Sequence, residues 1–265
     1  MPGGFKINTK GEIIYFTVQS FDAANGVTHG FSTRQGGLSD PPYASLNLGT
    51  HTGDELERVQ QNRQRLCNAL GLDPAALVTA EQVHGDHVQV VGAADAGKLF
   101  PATDAMITRE RMALMTLHAD CVPVLIYDPR TPAVGVAHAG WRGTVLKIAP
   151  KTIAAMGTVF GTQPADCLVG IGPSIGPCSY EVDAKVMAEF KAAFAYWQDL
   201  AEEKDAAHWY LDLWEANRQS IIGAGVPEEN ITLSGMCTQC NQDMLFSYRG
   251  EHGITGRLAA VIKLK

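Results

Sequence analysis

Two imidazoles and a thiol are the side chains here best suited to chemistry. His84 lies in Glu81-Gln82-Val83-His84-Gly85, Cys121 in Ala119-Asp120-Cys121-Val122-Pro123, and His138 in Ala137-His138-Ala139-Gly140-Trp141-Arg142-Gly143. Each falls within, or at the end of, an apolar strand-like run. They are too far apart in sequence for a zinc-finger spacing, so a shared site would have to be assembled from separate strands on a rigid scaffold, as catalytic centres are. Two histidines and one cysteine give zinc three ligands and leave a fourth corner for water or substrate, which separates catalytic from structural zinc. A metal there would keep Cys121 as thiolate and acidify a bound water. Residue types leave two other readings open: Cys121 as a small core residue among packed histidines, or Cys121 as a metal-free nucleophile with His138 or His84 as its base.

Neighbouring polar residues carry weaker signals. Asp120 precedes Cys121, and in a regular strand it would point to the opposite face. It can support the thiol or act as a general base only if the strand ends or bulges there. Arg63 lies on the apolar stripe of a helix, where a cation needs a partner: a structural ion pair or a bound anion. Cys237-Thr238-Gln239-Cys240 reads as a redox motif or half a zinc knuckle, and without a second pair the default is two loop cysteines. Gly170-Ile171-Gly172 with Gly176 lacks dinucleotide-fingerprint spacing and reads as a tight loop that could line a pocket. His29, His51, His87, His118, His208 and His252 lack ligand spacing and are taken as structural or exposed.

The elements that must position these residues are mixed. Ile13–Phe16, Val88–Val91, Ala113–Leu117, Val122–Tyr127, Val134–Ala137 and Leu258–Leu264 read as strands. The near-continuous apolar run from Val122 suggests a strand covered on both faces. Leu56, Val59, Leu66 and Leu70 recur at helical spacing, with Asp54 and Glu57 as a capping-box pattern. Further helices are expected after Gly143, delayed or kinked by Pro150, after Asp183, and over Leu213–Ile222. Strands and helices without strict βαβ alternation predict an α+β fold of layered mixed sheets flanked by helices. No repeat or linker divides the 265 residues, so residues 1–265 are expected to form one domain.

A hydrophobic fraction of 46% supports a packed core, and a net charge of -7 argues against a dedicated nucleic-acid surface, which needs a basic face. Met1–Lys6 shows no apolar leader and no run is long enough to cross a bilayer, so no membrane partner is expected. Scattered cysteines without an export signal suit reduced thiols in the cytoplasm.

Taken together, the motifs resemble the YfiH family, whose members are known as purine nucleoside phosphorylases, laccase-domain proteins or peptidoglycan editing factors. The resemblance runs through Thr28–Gly37, Ser45–Gly49, Val59–Arg63, the three ligand segments, Gly170–Pro177, Tyr180–Val182, Cys237-Thr238, Phe246–Arg249 and Thr255–Arg257. It implies zinc at His84, Cys121 and His138. It also implies phosphorolysis of adenosine, inosine, guanosine or methylthioadenosine with inorganic phosphate, and deamination of adenosine. Cys240 is a local departure.

Deamination would use a metal-activated water against C6 of adenine and a nearby acid for the leaving ammonia. Phosphorolysis needs cations for phosphate, and Arg34, Arg63 and Arg142 are the candidates because a guanidinium fork fits phosphate oxygens. Arg142, four residues after His138, could equally be a surface arginine. Ser32 and Asn47, in Gly-rich loops, are candidates for ribose contacts or for ordinary turn hydrogen bonds. Cys121 and Asp120 are the candidate catalytic groups. Competing expectations are peptidoglycan-precursor editing, a non-enzymatic module with a closed zinc, and a copper oxidase. The last is disfavoured because the chain has 8 histidines and no His-x-His pair.

Overall fold

In the computed structural model, which describes residues 4–265, strand pleating distributes the apolar residues of the middle of the chain onto two opposite faces. The leaderless reading of Met1–Gly3 lies outside the described residues. The strand Val122–Asp128 is buried at every position. Val122, Val124 and Ile126 face one core, and Leu125 and Tyr127 face another. A period of two along one strand therefore builds two cores at once.

Val122–Asp128 belongs to a six-stranded sheet in the order Ile231–Leu233, Leu168–Ile171, Val122–Asp128, Ala133–Ala139, Ala105–Thr108, Val88–Val90. A seven-stranded sheet runs Phe5–Lys10, Ile13–Val18, Val27–Ser32, Leu258–Leu264, Leu114–His118, Val78–Ala80, Leu99–Phe100. Phe16, Val18 and Phe31 of the second sheet pack against Leu125, Val134 and Val136 of the first. The outer face of the six-stranded sheet is covered by helices Ile148–Phe160, Ala184–Ala193 and Leu213–Gly223. Helix Leu56–Leu70 covers the other sheet through Leu66 and Leu70. Glu181–Asp183, His208–Leu211 and Ala201–Glu203 form a small third sheet. The result is a single α+β domain of layered mixed sheets flanked by helices. Among the described residues no helix is long and apolar enough to cross a membrane.

Local chemistry explains where elements begin; at Asp54 and Gly170 it corrects the sequence reading, and at Pro150 it bears out the expected break. Asp54 does not cap the helix that follows. Its carboxylate accepts from Ser39 Oγ (2.6 Å) and Asn47 Nδ2 (2.9 Å), and the helix starts at Leu56 without a side-chain cap. The helix after Gly143 is interrupted before Pro150: Trp141–Val145 and Ile148–Phe160 are separated by Lys147 in a left-handed conformation, φ 63°. Pro150 then sits in the first turn of the second helix, where its missing N–H costs no hydrogen bond. Gly170 lies in strand Leu168–Ile171 rather than in a loop, and a Cβ there would stand 2.6 Å from Val18 of the facing sheet. Gly170 and Gly172 are thus spacers between the two sheets.

Candidate metal centre

The hairpin Val122–Asp128/Ala133–Ala139 brings two of the three candidate ligands together. Its register sets His138 opposite Pro123 and Ala139 opposite Val122, so Cys121, just before the first strand, and His138, near the end of the second, share one end of the sheet. Ala105 pairs with Ala137 on the next strand, and Val88 pairs with Ala105 on the edge strand. The loop before Val88 carries His84. One sheet end therefore gathers residues separated by more than fifty positions in sequence.

The ligand atoms of His84, Cys121 and His138 all lie within 4.8 Å of one another. The two imidazole centroids are 4.9 Å apart at 71°. His138 is buried, Cys121 half-buried and His84 exposed, which gives the group an open side. Gly140 maintains that opening: a Cβ there would meet Cys121 Sγ at 2.9 Å and His84 Cδ2 at 3.1 Å. His84 adopts φ 61° and Asp120 φ 85°, a region uncommon for residues other than glycine, so the backbone is held in unfavourable conformations on two sides of the trio.

Two imidazoles beside a thiol change its ionisation. Burial alone would raise the Cys121 pKa, but the charges of and hydrogen bonds from His138 and His84 bring it down to about 6. Burial works against protonation of His138, yet the Cys121 thiolate and Asp104 together bring its pKa up to about 9. A thiolate and two imidazoles in reach of one point are a donor set for a borderline-soft cation such as zinc.

Asp104 is the residue that sequence reasoning missed. Its side chain is fully buried. Oδ1 accepts from His138 Nδ1 at 2.9 Å and from the His84 amide at 3.0 Å, while Oδ2 accepts from the Gly85 amide at 2.7 Å and the Val83 amide at 3.2 Å. Burial pushes its pKa up, but the hydrogen bonds from His138 and the loop amides outweigh it and hold the carboxyl below its usual range. One carboxylate thus orients His138, leaving Nε2 for a metal, and folds the His84 loop. The only sequence signal was an aspartate at the start of an apolar strand.

The strand does end at Asp120: Leu114–His118 stops before it and Val122–Asp128 starts after Cys121. Its carboxylate turns away from the thiol and accepts from Thr238 Oγ1 (2.6 Å), Ser247 Oγ (2.8 Å) and the Arg249 amide (2.6 Å). Asp120 therefore ties the Cys121 turn to two later loops. His118, buried, reaches the Cys121 carbonyl with Nδ1 (3.1 Å) and Thr116 Oγ1 with Nε2 (2.8 Å).

The remaining expected residues divide into two groups. Arg34 is a clamp: it donates to the Ala44 carbonyl (2.9 Å) and Gln242 carbonyl (2.7 Å), pairs with Glu251 (3.1 Å) and stacks over Phe246. Ser32, buried, accepts from the Ala259 amide (2.9 Å). Asn47, with no exposed surface, donates to Thr52 Oγ1 and Asp54 and accepts from the Gly49 and Arg257 amides. Ser32 and Asn47 are buried and Arg34 half-buried, each engaged by these neighbours.

Arg63 and Arg142 differ from them. Arg63 donates to the Leu48 carbonyl (2.9 Å) and has no carboxylate partner among the described residues. Burial lowers its pKa. His51 lies close to Arg63 and to Arg257, and after burial those two cations further depress its pKa. Arg257, also without an ion pair among the described residues, is near enough to sense the charges of Cys121 and Asp120. His51, exposed, and Arg63 and Arg257, half-buried, form a basic cluster that sequence spacing did not reveal. Arg142 is exposed and stacks 4.5 Å over Trp141.

Beside the trio lies a 670 Å³ cavity lined by Trp141, Tyr180, Tyr210, Gln239 and Arg249, among others. Tyr180 connects the two, since burial and then the Cys121 charge raise its pKa. The cavity joins aromatic faces to polar and charged groups, Arg249, Glu181 and Asp183 among them, the composition of a small-ligand pocket.

Known proteins are similar to this chain over nearly its full length. A family model described as multi-copper polyphenol oxidoreductase laccase matches residues 28–265. The purine nucleoside phosphorylase YlmD of Geobacillus stearothermophilus is 40% identical over 246 residues, covering 89% of this chain and 90% of the relative. The purine nucleoside phosphorylase YfiH of Escherichia coli is 37% identical, covering 93% and 98%. Among solved structures, the hypothetical protein YfiH of Bacillus licheniformis superposes with a TM-score of 0.93 at 34% identity, covering 99% of this chain and 100% of that one.

Proposed function

Because the chain belongs to the YfiH family of purine-nucleoside-phosphorylase-like, laccase-domain proteins, we propose that it is a zinc-dependent purine nucleoside phosphorylase that also deaminates adenosine. The observation that carries this reading is the convergence of the His84, Cys121 and His138 ligand atoms within 4.8 Å, with His84 on an exposed side. The donor set fits zinc with one exchangeable corner, and the ion would supply Lewis acidity toward substrate oxygen or water.

The chain's own groups supply the rest. Asp104 holds His138 with its proton on Nδ1 and keeps the His84 loop folded around its carboxylate. Asp120 is a positioning residue that fixes the Cys121 turn against the Thr238 and Arg249 loops. Inorganic phosphate is the anion for Arg63, Arg257 and His51, which lack a neutralising carboxylate. The nucleoside is the ligand for the cavity, with Trp141 and Tyr180 against the purine, Arg249 in its lining and Arg142 stacked on Trp141. Adenosine, inosine, guanosine and methylthioadenosine are the substrates in this reading. A thiolate ligand suits a reducing compartment, and we place the enzyme in the cytoplasm.

The copper in the family model's description suits these residues less well. Multi-copper centres are built from many clustered imidazoles, and the trio contributes two.

The test is a nucleoside assay with and without phosphate and chelator. Inosine with phosphate should give hypoxanthine and ribose 1-phosphate, the chelator should stop it, and Cys121→Ala should lose both the ion and turnover. Absence of phosphate-dependent product from adenosine, inosine and methylthioadenosine defeats the reading. Activity that survives the chelator but not Cys121→Ala would make Cys121 a nucleophile instead.

A further inference from the structure

A second group of soft ligands, separate from the trio, forms where two loops meet at the cavity. The ligand atoms of Cys178, Cys237 and Cys240 all lie within 4.8 Å of one another. Cys178 Sγ is 3.4 Å from Cys240 Sγ. Ser179 Oγ is 3.2 Å from Cys240 Sγ and 3.5 Å from Cys237 Sγ. Three sulfurs and a hydroxyl thus surround one point. Cys178 and Cys240 are exposed and Cys237 is buried.

The loops are fixed by contacts that do not involve a metal. Ser174 and Cys237 form a parallel β-bridge, and the Thr238 amide donates to the Ser174 carbonyl at 3.0 Å. Asn241 Nδ2 donates to the Cys237 carbonyl at 2.7 Å. Gly176 allows the close approach: a Cβ there would stand 2.6 Å from the Trp214 ring and 3.2 Å from Cys237 Cβ. The sulfurs are therefore gathered by a preformed scaffold, the condition for a metal site of useful affinity.

The spacing selects the ligand. A tetrahedral zinc thiolate has Zn–S of about 2.3 Å, which sets S···S at about 3.8 Å. The observed separations, 3.4 Å for one pair and at most 4.8 Å for the others, bracket that value. A disulfide would instead require Cys178 and Cys240 to close to about 2.05 Å and would leave Cys237 and Ser179 unused. The set has no imidazole and no carboxylate, so hard cations are poor occupants.

We propose that Cys178, Cys237 and Cys240 form a second metal site for a thiophilic divalent ion of the zinc class, with Ser179 or solvent at the fourth corner. Binding replaces the thiol protons with the ion, and no electron is transferred. The site joins segments 174–180 and 237–241 at the mouth of the cavity, to which Cys178 and Ser179 contribute lining. It lies one residue from Thr238, whose hydroxyl holds Asp120 beside Cys121. The ion would tie together the loops that support the catalytic turn.

The experiment is cadmium binding to the fully reduced full chain, read by bound-metal stoichiometry and cadmium NMR. The wild type should bind one ion more than the trio accounts for. The extra resonance should lie in the multi-thiolate region and disappear in both Cys178→Ser and Cys240→Ser, whose side chains are exposed and whose folding should be unaffected. Cys121→Ala should remove the other resonance only, so the two sites are read independently. A wild type whose every bound ion survives both serine variants, or a Cys178–Cys240 disulfide forming in preference to ion binding, would overturn the proposal; a single ion lost in the serine variants and kept in Cys121→Ala would uphold this site and defeat the trio instead.

Discussion

Asp104 Oδ1 accepts the Nδ1 proton of His138 at 2.9 Å, and the same oxygen receives the His84 amide at 3.0 Å. One buried carboxylate therefore sets the ring orientation of one proposed ligand and the loop conformation of the other. Asp104→Asn should weaken zinc affinity about 10–100-fold, the usual cost of losing a carboxylate behind a ligating histidine. Competition with a chromogenic chelator measures it, and unchanged affinity would show that the trio is positioned without Asp104.

Gly140 gives a steric test of the same centre. Gly140→Ala places a methyl 2.9 Å from Cys121 Sγ and 3.1 Å from His84 Cδ2. Both are closer than ordinary van der Waals contact, so the open corner should close. Turnover should fall by about 100-fold or more, the size of effect expected from a displacement of about 1 Å, with the melting temperature nearly unchanged. A fully active alanine variant would place the reacting atoms elsewhere.

The basic cluster separates phosphate from nucleoside binding. Arg63 and Arg257 lack carboxylate partners among the described residues, and their charges together depress the His51 pKa. Arg63→Met should raise KM for phosphate by about 10–100-fold, corresponding to about 1.5–3 kcal/mol for a charge-assisted hydrogen bond, with KM for inosine changed little. Equal rises for both substrates would mean that Arg63 acts through the fold.

His29 predicts a pH-dependent stability independent of the metal. It is buried, and its Nε2 accepts from the Val18 amide at 2.8 Å, which requires the neutral ring. Burial, reinforced by Lys265 and opposed by Asp22, lowers its pKa from 6.5 to about 4. The unfolded chain therefore takes up this proton before the folded one, so the stabilisation is complete above pH 6.5 and is lost as pH falls toward 4. The loss is about 3 kcal/mol across that window. His29→Gln keeps an acceptor for Val18 and should flatten this part of the urea-midpoint profile between pH 7 and 4. Parallel profiles for the two proteins would remove His29 as the cause.

Much of this was legible in the residues. Leu258–Leu264 matches its expected bounds, and the apolar run from Val122 was rightly read as a strand covered on both faces, because period and hydrophobicity are local properties. His84, Cys121 and His138 stood out because soft ligand types are rare at strand ends. Asp54 misled because its carboxylate satisfies Ser39 and Asn47 rather than the helix it precedes. Gly170 misled because its packing neighbour, Val18, belongs to another sheet.

By itself the sequence determined most element types, the layered α+β class and which side chains could ligate a soft ion, since each depends on the residue and its near neighbours. Only the tertiary structure decided which carboxylate stands behind His138, which arginines lack partners, and that Cys178 joins Cys237 and Cys240. Those relationships arise from strand register and loop crossing over tens to hundreds of residues. Hydrogen bonds and charges act over a few ångströms in space, a separation that chain distance does not encode.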